Sequence, residues 1–238
     1  MNNQKNKRLF NIEFKEPKTL RERIYIHLRE AIINNYVPAG DRIFEKEIAK
    51  EFNVSVTPVR EAIFQLSMEG FVEIETYKNI IVKEISLKEV NEIYEVQAVL
   101  EGFAGRLSTL QLNDNHLSKM VSLIGKMEKY YKLNDVDKFY DNNGKMHDIY
   151  IKQSGNQLIN DLISKLNLRK KMFRYRVTFL SKKEVMKKAI EDHKKILKGF
   201  KSRDPDKVEK SIRDHWTSDK RVKNFEISIQ KEQAQKGL

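Results

Sequence analysis

The strongest constraint on the fold is the segment 52–66, FNVSVTPVREAIFQL, in which a helical pattern begins around a proline. Its apolar residues recur at the spacing of one buried helix face, at Val59, Ala62, Ile63 and Leu66. Pro58 suits the first turn of such a helix, because the amide hydrogen that proline lacks has no intrahelical partner there. Ser55 or Thr57 can cap this turn. The segment therefore predicts a helix whose amino-terminal end is exposed.

The residues before and after this helix predict further short helices and a hairpin. Two shorter helical patterns precede it, one running from Thr19 to the break NNYVPAGD and the other covering EKEIAKEF. Two runs of β-branched and aromatic residues around YKN follow it, which is typical of a hairpin. Three short helices and a hairpin predict a winged helix-turn-helix over residues 18–85. Residues 1–17 lack periodicity, and we expect a flexible leader.

From Ser86 onward the pattern is helical almost throughout. Breaks at QLNDN, KLNDVD, KQSGN and KSRDPDK separate about six helices. One apolar stripe is predicted at Val90, Ile93, Val96, Leu100, Phe103, Ala104 and Leu107. We therefore expect a mainly α protein, with an N-terminal winged helix-turn-helix, a small β-hairpin wing and a C-terminal all-α helical bundle over residues 86–230. Residues 231–238 are expected to form a tail.

Composition limits the class of protein. The 238 residues contain no cysteine, which excludes disulfides, thiolate metal sites and cysteine nucleophiles. No uninterrupted apolar stretch of about 18 residues is present, and the amino terminus has no signal-peptide pattern. We expect a soluble cytoplasmic protein with no membrane association. The net charge of +12 does not identify a DNA-binding segment, because residues 1–85 hold 14 Lys and Arg against 13 Asp and Glu.

Three of the five histidines lie on the apolar stripes of three predicted helices, at His147, His193 and His215. A bundle core can bring their rings together. A single core histidine is usually just hydrogen-bonded to a neighbour, but three in one core need a shared partner. Neutral imidazole nitrogens suit Zn, Ni, Co or Fe. Asn143 lies one turn before His147 on the same face. The remaining histidines, His27 and His116, are expected to be structural.

The first third of the chain resembles a known DNA-binding domain. AGDRIFEKEIAKEFNVSVTPVREAIFQLSMEGFVEI is similar to the domain of GntR-family bacterial transcription regulators, and GKMHDIYIKQSGNQLI and IEDHKKILKGFKSRDPDKVEKSIRDHW are similar to the all-helical FCD effector domain of the FadR-like subgroup. The resemblance implies a homodimer on a palindromic double-stranded DNA operator. The residues expected to face DNA are Lys46, Ser55, Val56, Thr57, Arg60, Lys78 and Asn79.

Two positions depart from the family pattern. Val56 stands where the family usually has arginine, and Asn79 stands where the wing usually has glycine. Valine cannot donate a hydrogen bond to guanine, but it can contact a thymine methyl group. We therefore expect an operator shifted from the common family sequence toward A·T pairs. A footprint on the usual family half-site that is unchanged by Val56→Ala would contradict this expectation.

The resemblance also implies a divalent metal, Zn, Ni or similar, and a small carboxylate effector. The implied metal ligands are Asn143, His147, His193 and His215. Family members often carry an arginine for the effector at the position of Gln97. Arg106, Arg174 and Arg176 are candidate substitutes for that arginine. The expected function is a transcription regulator, with repression the commoner sign, whose operator affinity responds to the effector.

Two other functions remain open from the residues alone. An open histidine metal site could hydrolyse a substrate by activating water, but no HExxH motif supplies a general base. Glu191 and Asp192 are expected to project away from the core. Alternatively, the net charge could support non-specific nucleic-acid binding. Nearly equal affinities for operator and scrambled DNA would favour that alternative, whereas a regulator should discriminate by about a thousandfold.

Overall fold

The computed structural model describes residues 19–75, 79–174 and 183–217. The chain divides into two compact units between Ile85 and Ser86. The predicted leader and tail lie outside the described residues. Within those described ranges, no helix is both long enough and apolar enough to cross a membrane.

The N-terminal unit contains three short helices, α1 (Leu20–Ile33), α2 (Glu45–Phe52) and α3 (Val56–Met68). Asn53 ends α2 in the left-handed conformation with φ of 54°, a conformation that asparagine tolerates better than most residues. Ser55 is the N-cap of α3, so Pro58 lies in its first turn. The α3 stripe is buried as predicted and packs against α1.

A small antiparallel sheet completes this unit. It consists of β1 (Arg42–Ile43), β2 (Val72–Ile74) and β3 (Ile80–Val82) in the order β1-β3-β2. Strands β2 and β3 form the predicted hairpin, with Val72 opposite Val82. Strand β1 was not predicted, because two residues carry no measurable alternation. The three helices and this sheet confirm the predicted winged helix-turn-helix.

The second unit is entirely helical in the described residues. Its helices are α4 (Leu87–Ser108), α5 (Asp114–Leu133), α6 (Val136–Gln153), α7 (Gln157–Arg174), α8 (Lys183–Lys201) and α9 (Pro205–Thr217). Four of the five boundaries between these helices fall at the breaks seen in the sequence, and the boundary between α7 and α8 was not predicted. Ser86 caps α4 by accepting a hydrogen bond from the backbone N–H of Glu89 at 3.2 Å. Pro205 occupies the first position of α9, which requires no amide hydrogen.

Helices α4 and α9 pack closely because α4 carries glycines where they meet. A methyl group added at Gly105 would overlap the side chain of Ile212. Closer to the end of α9, the indole N–H of Trp216 donates a hydrogen bond to the Glu101 carboxylate at 3.1 Å. This close approach brings the last described turn of the chain against the middle of α4.

Helix α4 has two apolar faces instead of the single predicted stripe. Val90, Ile93 and Ala104 are buried as expected. In contrast, Val96 and Phe103 are exposed, at 48% and 43%. The predicted stripe therefore contains both buried and exposed residues. The outer apolar face of α4 comprises Val96, Val99, Phe103, Leu107 and, just beyond the helix end, Leu110, which are 36–70% exposed.

Candidate functional site

The amino-terminal end of α3 is an exposed surface. Ser55 and Thr57 are exposed, Val56 is half-exposed, and Lys46 on α2 is exposed. The Ser55 side chain makes no capping hydrogen bond. The first backbone N–H groups of α3 therefore keep the partial positive charge that binds a phosphate at a helix start. Such an end can enter a DNA major groove.

Arg60 is held in place by a residue that the sequence did not single out. Its Nε donates to Glu45 Oε1 at 3.1 Å, and its Nη2 donates to Glu45 Oε2 at 3.0 Å. Glu45 is the first residue of α2, so this pair joins the two helices of the helix-turn-helix. An exposed ion pair contributes little to stability, because water and salt screen it. Arg60 can therefore exchange Glu45 for a base edge at small cost.

The wing is only partly described. The Asn79 carbonyl accepts a hydrogen bond from the backbone N–H of Glu75 at 2.8 Å, extending the β2-β3 pairing toward the turn. The side chain of Asn79 is half-buried. Lys78, the other wing residue expected at DNA, lies outside the described residues.

The structure brings the three predicted histidines together. His147 comes from α6, His193 from α8 and His215 from α9, and all three are at most 4% exposed. One nitrogen from each ring lies within 4.8 Å of the others. His147 Nε2 and His193 Nε2 are 2.9 Å apart, and the rings of His193 and His215 have centroids 4.6 Å apart. We call these three residues the histidine cluster.

The hydrogen bonds of His147 and His193 determine which of their nitrogens carry protons. His147 Nδ1 lies 2.6 Å from the Glu101 carboxylate, and His193 Nδ1 contacts the Ala189 carbonyl. The carboxylate and the carbonyl can only accept, so we assign the ring proton of each histidine to Nδ1, and the Tyr150 hydroxyl, 2.6 Å from His147 Nδ1, then donates to Glu101. In neutral rings, the two Nε2 atoms then face each other with lone pairs at 2.9 Å. With this assignment, a shared proton or a metal ion between the two nitrogens would remove the repulsion of their lone pairs.

Glu101 is the central acceptor behind the cluster. Burial by itself would raise the pKa of Glu101, but the charge and hydrogen bond of His147, the charge of Lys170 and the Tyr150 hydroxyl together lower it to about 2. Tyr150 donates to Glu101 Oε2 at 2.6 Å. Burial and the neighbouring Glu101 charge raise the pKa of Tyr150, which keeps this hydroxyl protonated. Glu101 is therefore an ionised carboxylate in a closed core.

A second buried carboxylate lies beside the cluster. Asp192 is 5% exposed, so the expectation that it projects away from the core was wrong. Its Oδ2 lies 3.7 Å from His215 Nδ1, while Lys188 and Lys195 pair with Oδ1. His147 and His193 thus each have an acceptor at hydrogen-bond distance from Nδ1, whereas the Asp192 oxygen is beyond that distance from His215 Nδ1. Metal-binding histidines characteristically have such an acceptor at the nitrogen that does not bind the ion.

Comparison with known protein families decides the identity of the fold. The model of bacterial regulatory proteins of the gntR family matches residues 20–82, and the FCD domain model matches residues 92–218, more than half of the chain. The chain belongs to the GntR family of regulators. It is a DNA-binding transcription regulator with an FCD domain.

Relatives of this GntR-family regulator are similar to it over most of the chain. The gluconate operon transcriptional repressor of Bacillus licheniformis is 27% identical over 203 residues, covering 82% of this chain and 81% of the relative. The transcriptional repressor RspR of Escherichia coli K12 is 24% identical over 194 residues, covering 82% and 84%. The solved structure of E. coli McbR/YncC has a TM-score of 0.68 at 19% identity, covering 90% of this chain and 99% of that chain. The first two relatives are named as transcriptional repressors, which favours the regulator over the hydrolase alternative.

The regulator's predicted effector residues fall in different places. Gln97 is fully buried on α4 and donates to Glu101 and Asn167. Arg106 is not part of the cluster's surroundings, since its guanidinium is committed to Asp206 and Glu209 at the surface. Arg174 ends α7, and its side chain is outside the described part of the structure. Asn143 is half-buried on α6, one turn before His147.

Several partners of the cluster were missed by sequence reasoning. They are Glu101, Tyr150, Asn167, Lys170, Asp192 and Trp216. Glu101 follows Gln97 by one helical turn on the inner face of α4, so two polar residues at successive buried positions were the available signal. Asp192 had no such signal, because a carboxylate beside lysines on a helix is usually solvated.

Proposed function

We propose that this regulator is a repressor whose operator affinity is controlled by a small carboxylate bound at a divalent metal ion in the histidine cluster. The observation that carries the proposal is the pair of opposed Nε2 atoms at 2.9 Å, with a third imidazole beside them. Two nitrogens bound to one tetrahedral Zn²⁺ are about 3.3 Å apart, given Zn–N distances of about 2.05 Å. A small outward shift of the rings therefore accommodates the ion.

The donor set fits Zn²⁺ or Ni²⁺. Imidazole nitrogens are good ligands for both, and three protein ligands leave coordination positions for another group. Asn143 is the candidate fourth protein ligand, with an amide oxygen that is a poorer ligand than a carboxylate. When bound, the metal would supply a positive centre that accepts a carboxylate oxygen.

The charges around the cluster favour an anionic effector. Glu101 is ionised and feels the charge of Lys170, while Lys188 and Lys195 both pair with Asp192. A divalent ion added to these groups would give the buried site a net positive charge. Desolvating such a charge without a counter-ion is costly. A carboxylate provides that counter-ion, and one relative is named for the gluconate operon.

A direct test is operator binding with and without a carboxylate. An operator selected from a random duplex library would be titrated with metal-loaded protein by fluorescence anisotropy, with gluconate, malate, lactate or acetate present in turn. We expect at least one carboxylate to weaken operator binding by about 5- to 150-fold, the range of typical coupling between two sites. Metal-free protein should show no response. Equal responses with and without metal would contradict the proposal.

Glu101 should strengthen metal binding without touching the ion, because it orients His147 and accepts its Nδ1 proton. We expect Glu101→Gln to weaken Zn²⁺ binding by about 10- to 100-fold, as measured by chelator competition. Glu95→Gln, an exposed change on the same helix, is the matched control. Equal metal affinity in both variants would exclude this role for Glu101.

We also propose that the outer apolar face of α4 is a dimer interface with a second copy of the chain. Its residues recur at spacings of three and four, which suits packing against another helix. A palindromic operator requires two symmetry-related DNA-binding units. Leu158 and Leu162 on α7 are exposed apolar residues of the same unit.

A charge placed in this face should separate the copies. We expect wild-type protein to have twice the chain mass of 28.2 kDa in analytical ultracentrifugation and Phe103→Glu to have the single mass. Val121→Glu, which alters an exposed valine on α5, should remain dimeric. A dimeric Phe103→Glu protein would place the interface elsewhere.

A further inference from the structure

Glu45 uses only one edge of the Arg60 guanidinium. An arginine side chain has five N–H donors, one on Nε and two on each terminal nitrogen. Glu45 Oε1 accepts from Nε at 3.1 Å, and Glu45 Oε2 accepts from Nη2 at 3.0 Å. Glu45 thus leaves both donors of Nη1 and the second donor of Nη2. These donors form another edge of the same planar group.

This second edge has the donors that recognise a guanine. In the major groove a guanine presents two acceptors, O6 and N7, and an arginine binds both with two parallel N–H groups. Nη1 and Nη2 of Arg60 can each supply one of these groups while Nε and Nη2 still hold Glu45. Arg60 can therefore contact a guanine with the ion pair intact. The exchange of partners that an exposed ion pair permits is not needed for base contact.

Glu45 is the more restricted member of the pair. Its side chain is 17% exposed, whereas the Arg60 side chain is 60% exposed. Glu45 is also the first residue of α2, where the partial positive charge of the helix start stabilises a carboxylate. Arginine is a long side chain that loses much rotamer freedom when it is held in one position. The carboxylate of Glu45 restricts that freedom before DNA is bound.

Glu45 also lowers the net charge that Arg60 presents to DNA. An unpaired surface arginine is attracted to phosphates, which every duplex carries and which contain no sequence information. An arginine paired with a carboxylate has little net charge but keeps the donors of its second edge. The pair therefore weakens the contact that all DNA sequences offer and retains the contact that a guanine offers.

We infer that Glu45 is a positioning residue that directs Arg60 to a guanine instead of a phosphate. Glu45 acts through Arg60, by holding the Nε edge of the guanidinium so that the Nη1 edge meets the base. The inference concerns the DNA-binding unit, and it does not depend on the metal ion or on the effector.

Operators that differ by one base pair test this inference in the full-length protein. An operator would be selected from a random duplex library, and each of its positions would then be changed in turn. Fluorescence anisotropy gives the discrimination at each position, which is the ratio of the affinities for the original and the changed duplex. We expect wild type to discriminate by about 5- to 150-fold at one G·C pair in each half-site, and Arg60→Ala to lose that discrimination.

Glu45→Gln should lower the discrimination at the same G·C pair by about fivefold or more and leave the other positions unchanged, because a neutral amide holds an arginine less strongly. Glu47→Gln is the matched control, since it removes the same charge from an exposed residue in the same turn of α2. On scrambled duplex, the slope of log affinity against log salt should be steeper in Glu45→Gln than in Glu47→Gln by about 0.9, the contribution of one phosphate contact.

Three results would overturn the inference. If folded Glu45→Gln and Glu45→Ala both discriminate at the G·C pair like wild type, Arg60 leaves Glu45 when it binds DNA. If both variants bind operator and scrambled duplex more weakly by the same factor, Glu45 only joins the two helices. If Arg60→Ala affects no position more than the others, Arg60 has no base contact for Glu45 to position. Circular dichroism and thermal unfolding would establish that each variant is folded.

Discussion

Replacing His193 by alanine should abolish stoichiometric metal binding. His193 Nε2 lies 2.9 Å from His147 Nε2. Replacing His193 therefore removes one of the three proposed ligands and the nitrogen that faces His147. Losing an outer partner of a ligand typically costs about 10- to 100-fold in affinity, and losing the ligand itself should cost more. Mass spectrometry of metal content, on protein purified without chelator or nickel affinity, would measure the loss.

Two further measurements make the His193 result decisive. His116→Gln changes a histidine at the start of α5 and should retain the metal. Trp216 is the single tryptophan of the chain, and its ring centroid lies 5.3 Å from that of His147. Ni²⁺ should therefore quench its fluorescence in wild type and not in folded His193→Gln. A wild-type protein without metal, and without quenching, would mean that the opposed nitrogens share a proton.

Replacing Arg60 by alanine should weaken operator binding by about 1–3 kcal/mol, or roughly 5- to 150-fold, if Arg60 contacts a base. Binding to scrambled duplex should change much less, because that binding depends on phosphate contacts. Anisotropy titrations at fixed salt would give both affinities. Lys145→Ala removes an exposed, ion-paired lysine of the second unit and is the control. An equal loss on both duplexes would assign Arg60 to phosphate.

The sequence predicted where the helices lie better than it predicted which of their faces are buried. Pro58 and the turn NVS were sufficient to locate α3, because few structures accept a proline at that point of a helical pattern. The apolar periodicity of α4 could not separate the buried Ile93 from the exposed Val96 and Phe103, since an exposed apolar face leaves the same periodic pattern as a buried one. Strand β1 was too short to leave a pattern.

For the histidine cluster, the sequence predicted the histidines but not the side chains that surround them. Its three ligand candidates were predicted because each lies on an apolar stripe of its own helix. Their acceptors were not, since Glu101 and Asp192 are 46 and 23 residues away from the histidines they face, and helix periodicity carries no information about such pairs. Only the packing of α4 against α6 and α9, and of α8 against α9, brings these groups together.

Helix α4 is a single rigid element with two functional candidates on opposite faces. Its inner side holds Gln97 and Glu101 against the histidine cluster, and its outer side holds Val99 and Phe103. With 22 residues, the helix is about 33 Å long. A ligand that tilts the inner side must tilt the outer side by the same angle, so no chain of intermediate residues is needed to carry the signal. Any second copy packed on that outer side would be reoriented in the same movement.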